Sequence, residues 1–351
     1  GLNVAVGQEA GRQVTTGIEN TIIGALAGDA LTDADANVAM GTYALSTDTL
    51  GSKSVAIGDR ALLTQNFTTA TDTHNIAVGY SAGGAITTGI KNTLIGGLAG
   101  DATTVGSDNV SVGYTSLGTN VGGAANVAIG AEALSTMNPG STSSATYNTA
   151  VGAKAGKGIT TGVENVLIGG LAGDVLTNSD RNVAVGHAAL STNTLGQYNT
   201  AIGYAALFAA NHTTATDAYN VAVGYNAGAA VTTALKNTLV GGLAGPVLTS
   251  GGENTAIGYA TLFSDTQGTR TTAIGWGVLQ SQNFTTATEA DNVAVGYNAG
   301  AGVTTGIKNT LIGAIAGDAL TDADSNVAVG RAALSTDTLG SCSVAIGRNA
   351  L

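Results

Sequence analysis

Histidine, cysteine and closely spaced carboxylates are the side chains that could carry chemistry in this 351-residue chain, and they are few. The three histidines, His74, His187 and His212, fall at unrelated positions and read as scattered surface residues. Cys342, the only cysteine, excludes an internal disulfide framework. It occupies a place where equivalent stretches carry Lys53, Lys91, Tyr198 or Glu253, so an exposed variable position is expected rather than a nucleophile. Asp33, Asp35 and Asn37 form DxDxN, which recurs at Asp322, Asp324 and Asn326, and oxygen ligands at alternate positions suit calcium. Equivalent stretches read Ser107-Asp108-Asn109 and Gly252-Glu253-Asn254, which lack the pair, so an acidic solvated turn is the expectation. No catalytic, cofactor-binding or metal site is expected, and the chain reads as a non-enzyme.

Three further sets of residues could meet a ligand at a surface. Tyr80, Tyr114, Tyr204, Tyr225, Tyr259, Trp276 and Tyr297 each follow a glycine of the motif described below, and such a stripe could stack on sugar rings or simply cover an edge. Paired threonines such as Thr15-Thr16, Thr87-Thr88, Thr160-Thr161 and Thr304-Thr305 resemble the hydroxyl arrays of ice-binding solenoids, but return too sparsely for a continuous face. Asn66, Asn211 and Asn283 each head an Asn-X-Thr sequon.

What must position all of these is a five-residue unit, Asn-[Val/Thr]-Ala-[Val/Ile]-Gly, first at Asn3–Gly7 and last, as a variant, at Ser343–Gly347. It occurs twenty times, and its closing glycines are spaced by 17 residues except at every fourth step, which is 21 or 22. The result is a higher repeat of 72 or 73 residues, covering 3–74, 75–147, 148–219, 220–291 and an incomplete 292–351. A fixed period of this kind marks a solenoid, here an all-β parallel solenoid with one coil per unit, forming a single repetitive domain over 1–351. Twenty coils at about 4.8 Å each predict a rod on the order of 95 Å long. Beginning at Gly1 and ending at Leu351 within a unit, the chain reads as a segment of something longer.

Read as a strand, each unit places its second and fourth residues on one face and its third on the other. The fourth position, Val6, Ile23, Met40, Ile57 and so on, is always a medium aliphatic, and is expected to form the core. The third-position face carries Ala5, Ala39 and Ala56, with Ile22, Leu94, Leu167, Leu239 and Leu311 in the second of four unit types, and is apolar too. Both faces therefore call for burial, which predicts lateral association. A small residue seven places after each Asn (Ala10, Ala27, Ala44, Ala61), followed by Gly in two unit types and Leu in the other two, predicts a second short strand. Glycine is expected to turn one corner and the opening Asn the other, its side chain stacking on the Asn of the next coil. Longer loops after Leu62, Leu134, Leu207 and Leu279 are expected to project beyond the common coil and to be the places of contact.

A formal charge of −11 with a pI near 4.4 provides no basic stripe for nucleic acid or an acidic membrane surface. No apolar run is long enough to span a bilayer as a helix. The stretches NTAIGYAAL, NVAVGYNAG and SVAIGDRAL resemble the repeats of phage tail-fibre and related virion fibre proteins, and look like the head repeats of trimeric autotransporter adhesins. The resemblance covers the whole chain, with the 17-residue spacing more like the fibre group. It implies a homotrimeric shaft, extracellular on a virion or cell surface, that holds a receptor-binding tip for host attachment. Its partners would be its own copies and a cell-surface glycan or protein receptor. The alternative is a bacterial trimeric surface adhesin binding host matrix or glycan, and a third is an ice-binding or polysaccharide-acting solenoid.

Overall fold

The computed structural model describes all 351 residues, and they form two units, Gly1–Asn178 and Ser179–Leu351. Each unit stacks ten three-residue strands, Val4–Val6 to Val166–Ile168 in the first and Val183–Val185 to Val344–Ile346 in the second. The chain is thus an all-β parallel solenoid of about twenty coils with no helix. Within each unit, neighbouring strands pair in register, Val4 with Thr21 and Thr21 with Val38, or Val221 with Thr238 and Thr238 with Thr255. In-register parallel pairing keeps like residues in columns, so one rule of side-chain choice applies to every coil.

The Asn corner is as expected. Asn20 and Asn37 are buried, and the backbone amide of each donates to the side-chain oxygen of the Asn one coil before, at 2.9 Å in both cases. Their own Nδ2 atoms donate forward to the carbonyls of Ala34 and Gly51, which ties the start of a coil to its end. Asn237 and Asn254 repeat this in the second unit, donating to Asn220 and Asn237 at 3.0 Å. A buried amide that finds partners for both its oxygen and its nitrogen is stabilising, and an Asn-to-Ala change would strand several backbone groups at once.

The core lies on the opposite face from the one expected. Third-position residues are inside: Ala39, Ala56, Ile22 and Leu94 are at most 1% exposed, whereas fourth-position Met40, Ile57, Ile95 and Ile129 are 36–39% exposed. The coil is narrow, and alanine at most third positions lets its walls approach closely. Where the third residue is large, the facing position is glycine: Leu94 Cδ1 would lie 2.7 Å from a Cβ at Gly83, and Leu94 Cδ2 2.9 Å from one at Gly100. Coils with Leu45 and Leu62 at that facing position carry Ala39 and Ala56 instead, and all four are fully buried. Large-against-small complementarity of this kind gives the four-coil rhythm a packing cause.

Nor is there a second strand after the glycine corner. Ala27, Ala44 and Ala61 are buried as expected, but they sit between residues with positive φ, such as Leu26 and Gly28 (57° and 50°) or Tyr43 and Leu45 (58° and 54°). The amides still bond along the stack, Leu26 N to Gln8 O and Gly28 N to Ala44 O, both at 2.9 Å. A leucine in this conformation costs about 1–2 kcal/mol relative to ordinary backbone, a similar magnitude to what its burial returns.

Each longer loop adds one two-residue parallel pair: Gly51–Ser52 with Thr71–Asp72, Gly123–Ala124 with Ser144–Ala145, Gly196–Gln197 with Thr216–Asp217, and Gly268–Thr269 with Thr288–Glu289. Their tips, such as Thr68–Ala70 and Thr285–Ala287, are exposed, while Gln65, Phe67, Gln282 and Phe284 are buried and anchor them.

Candidate functional site

The residues with chemical potential are dispersed by the solenoid rather than brought together. Asp35 turns along the stack and accepts from the Ile18 amide at 2.8 Å, Asp33 accepts from the Thr16 hydroxyl, and Asn37 is buried in the Asn ladder. Asp324 does the same with the Ile307 amide at 2.8 Å. The three oxygens of DxDxN thus diverge, as an acidic turn would have it. Paired threonines likewise use hydroxyls within the solenoid, Thr15 to Thr32 O and Thr87 to Thr104 O. The sequon residues Asn66, Asn211 and Asn283 accept from Thr49, Thr194 and Thr266 of the preceding coil. Cys342 is exposed.

The histidines are not all surface residues. His74 is exposed, but His212 is 4% exposed, which corrects its reading as scattered surface. It holds the loop position taken by buried Phe67 and Phe284 in other repeats, and its ring packs against Gly196. Neither ring nitrogen has a well-aligned hydrogen-bond partner, the Thr233 backbone offering only a weak one. Burial pushes the imidazole below its ordinary value of 6.5, opposed by the Thr233 backbone. A depressed histidine contributes stability above its unfolded pKa that is lost as pH falls through the folded one. Melting temperature is therefore expected to fall on acidification from about pH 7.5 to about pH 5, and His212→Phe to flatten that slope while stabilising the protein. An unchanged slope in the variant would exclude this role.

His187 belongs to the aromatic stripe. Its ring stacks on Tyr204 at 5.7 Å, and Tyr204 stacks on Tyr225 at 5.6 Å. Tyr259, Trp276 and Tyr297 form a second run at 6.1 and 5.2 Å. The planes within these runs differ by only 10–21°, so the rings lie flat across the stack like rungs. Between the runs stands Gly242, and in the first unit Gly97 stands between Tyr80 and Tyr114 in the same way. Sequence reading found the tyrosines but missed His187, although His187 also follows a closing glycine.

Two other features are polar. A surface groove of about 460 Å³ lies beside the Thr285–Ala287 loop, and its charges are mutually paired: Lys236 with Glu253, Arg270 with Glu253 at 3.4 Å, and Arg270 with Glu289 at 2.8 Å. Exposed pairs of this sort add little stability. Beneath the long loops, Asp48 with Gln65 and Asp265 with Gln282 form buried polar clusters. Burial pushes the Asp265 carboxyl above its ordinary value, opposed by donors from Gln282 and from the Gly268 and Phe284 amides.

A further exposed apolar surface is the strand face turned outward. Ile57, Ile95, Ile129 and Ile168 form a column in the first unit and Ile202, Ile257 and Ile312 one in the second, all 36–40% exposed. No helix of the structure is long and apolar enough to cross a membrane. Comparison of the chain with protein-family models, curated proteins and solved structures returns no match.

Proposed function

We propose that this chain is the structural shaft of an extended extracellular fibre, a phage tail fibre or similar virion appendage that positions a receptor-binding tip, and that its copies associate as a homotrimer. The observation that carries the reading is the outward Val/Ile column, since a solenoid that worked alone would have polar residues there. Each coil offers about 50 Å² of this face, from a strand spacing of about 4.8 Å and about 10 Å of strand. Twenty of them reach about 1,000 Å², on the scale of the roughly 800 Å² that each partner buries in a specific interface. The Asn ladder and in-register strands supply axial stiffness, and the sequence resemblance to fibre repeats supplies the threefold arrangement. A second reading, a bacterial trimeric surface adhesin, is favoured by the exposed aromatic rungs.

Light scattering tests the proposal. The chain is expected to have three times its single-chain mass of 34.1 kDa. Ile202→Glu with Ile257→Glu, on the outward column, is expected to reduce this to one chain with the β-sheet circular dichroism retained. A stable monomer of the unmodified chain would overturn self-association and favour a solenoid that acts through its own surface.

A further inference from the structure

The aromatic stripe is interrupted at two places with the same construction. Tyr80, Gly97 and Tyr114 stand at successive 17-residue steps in the first unit, and Tyr225, Gly242 and Tyr259 in the second. Each glycine removes one rung, so the flanking rings are two coil steps apart, about 9.6 Å measured along the stack at the spacing of parallel strands. In the second unit the outer face of each ring is already covered. Tyr225 stacks on Tyr204, and Tyr259 on Trp276, which leaves the faces turned towards Gly242. The Tyr259 ring lies 3.5 Å from where a Cβ on Gly242 would stand, and the Tyr114 ring 3.6 Å from the corresponding point on Gly97. All four tyrosines are 49–60% exposed, so each notch opens to solvent.

The dimensions select among occupants. A flat aromatic ring needs about 7 Å between two faces, from two contacts of about 3.5 Å, and would touch only one wall here. A pyranose chair carries axial C–H bonds on both faces and requires roughly 9 Å between flanking ring planes. Those C–H groups bear partial positive charge, which complements the negative face of each phenol ring. The sugar hydroxyls point outward around the chair, where the phenol oxygens and solvent receive them. In the first unit Arg60 also reaches the Tyr80 hydroxyl, donating at 3.4 Å, and adds a donor at the rim.

We propose that the two Tyr–Gly–Tyr notches, Tyr80/Gly97/Tyr114 and Tyr225/Gly242/Tyr259, each hold one pyranose ring of a polysaccharide between two phenol faces. The assignment stands apart from the fibre reading, because it needs neither a threefold assembly nor a distal tip. Glycine is what makes the notch, and it is not required by the backbone. Neither Gly97 nor Gly242 has a positive φ, and a Cβ at either would make only ordinary contacts. The same column holds Tyr204 and Trp276 elsewhere.

The experiment follows from that freedom. Saturation-transfer NMR would be run on the full chain with cellohexaose, maltohexaose and chitohexaose as probes, and free indole as the planar control. Signal is expected on the C–H protons of at least one hexasaccharide, with the affinity lowered at least tenfold in Gly97→Tyr/Gly242→Tyr, whose thermal melt should match the parent. Tyr114→Ala/Tyr259→Ala, which removes one wall of each notch, is expected to lose the signal as well and decides the matter should the first variant fold poorly. Absence of transfer to all three sugars would overturn the proposal, as would transfer to indole alone. Unchanged or tighter sugar binding in the filled variant would also overturn it, by assigning recognition to the stripe as a whole.

Discussion

Alanine at Gly241 is expected to break the solenoid locally, whereas alanine at Gly242, one residue on, is expected to leave it intact. Gly241 has φ +135°, and a Cβ there would stand 2.3 Å from the carbonyl oxygen of Gly258 and 2.6 Å from its carbon. Both obstacles are backbone in the next coil, which is held by its own ladder and cannot yield without losing hydrogen bonds. Positive-φ strain for a residue with a Cβ costs of order 1–3 kcal/mol, and the clash adds to it, so a total above about 4 kcal/mol is expected. In a solenoid the damage falls on the interface between two coils, and thermal melting should show an earlier transition or a lowered midpoint. Limited proteolysis of Gly241→Ala is expected to cut near residue 241. At Gly242 a Cβ meets only the Tyr259 ring, at 3.5 Å, and stability should stay within about 0.5 kcal/mol of the parent. Equal melting of the two variants would mean that the glycine corner does not set coil spacing.

The pair also indicates what could be read from the sequence. The closing glycines and opening asparagines were legible because an identity kept in every copy, or in nearly every copy, at fixed spacing has few physical causes, here a positive-φ corner and a buried amide ladder. The orientation of the strand was not legible. Alternation assigns residues to two faces, but it names the inner face only when the other is polar, and here Ala39 and Met40 are both apolar. The deciding term was the width of the coil, which admits alanine and excludes a β-branched column. The αL leucines left a usable trace, since Gly28 and Leu45 alternate in one column, and a column that tolerates glycine in half its copies is a candidate for positive φ. Local propensity argues against Leu there, and packing overrides it. His212 was misplaced because its partners in the column are Phe67 and Phe284, a relation visible only when loops of different repeats are superposed.

Superposing the repeats also yields the second large expected effect, at Gln282. Three positions change together: Asp48, Ser54 and Gln65 correspond to Asp265, Thr271 and Gln282, whereas the intervening repeats carry Asn120, Asn126 and Met137, then Asn193, Asn199 and Ala210. Where the coil opens with Asn126, its side-chain oxygen accepts from the Asn148 amide at 3.0 Å and the ladder continues unaided. Where it opens with Thr271, no side-chain amide stands at that rung, and Gln282 reaches in from the long loop. Its Oε1 accepts from Asn292 Nδ2 at 2.9 Å, and its Nε2 donates to Asp265 at 2.6 Å and to the Thr271 hydroxyl at 3.2 Å. Gln282→Met alone would leave a buried carboxylate, a hydroxyl and an amide without these partners, an expected loss of about 3–5 kcal/mol. Asp265→Asn/Thr271→Asn/Gln282→Met reproduces the chemistry of the second repeat and is expected to return to within about 1 kcal/mol of the parent, a non-additivity that a mutant cycle measures directly. The acid side supplies a further sign. Asp265 already has a folded pKa above its ordinary 3.8, and losing the Gln282 donor raises it more. A raised carboxyl contributes stability that is fully present below the unfolded pKa and is lost as pH rises through the folded one. The deficit of Gln282→Met should therefore shrink as pH is lowered towards about 4, a recovery that the triple variant, with no carboxyl at position 265, should not show. A triple variant no more stable than the single one would mean that the three positions vary together without any energetic coupling through Gln282.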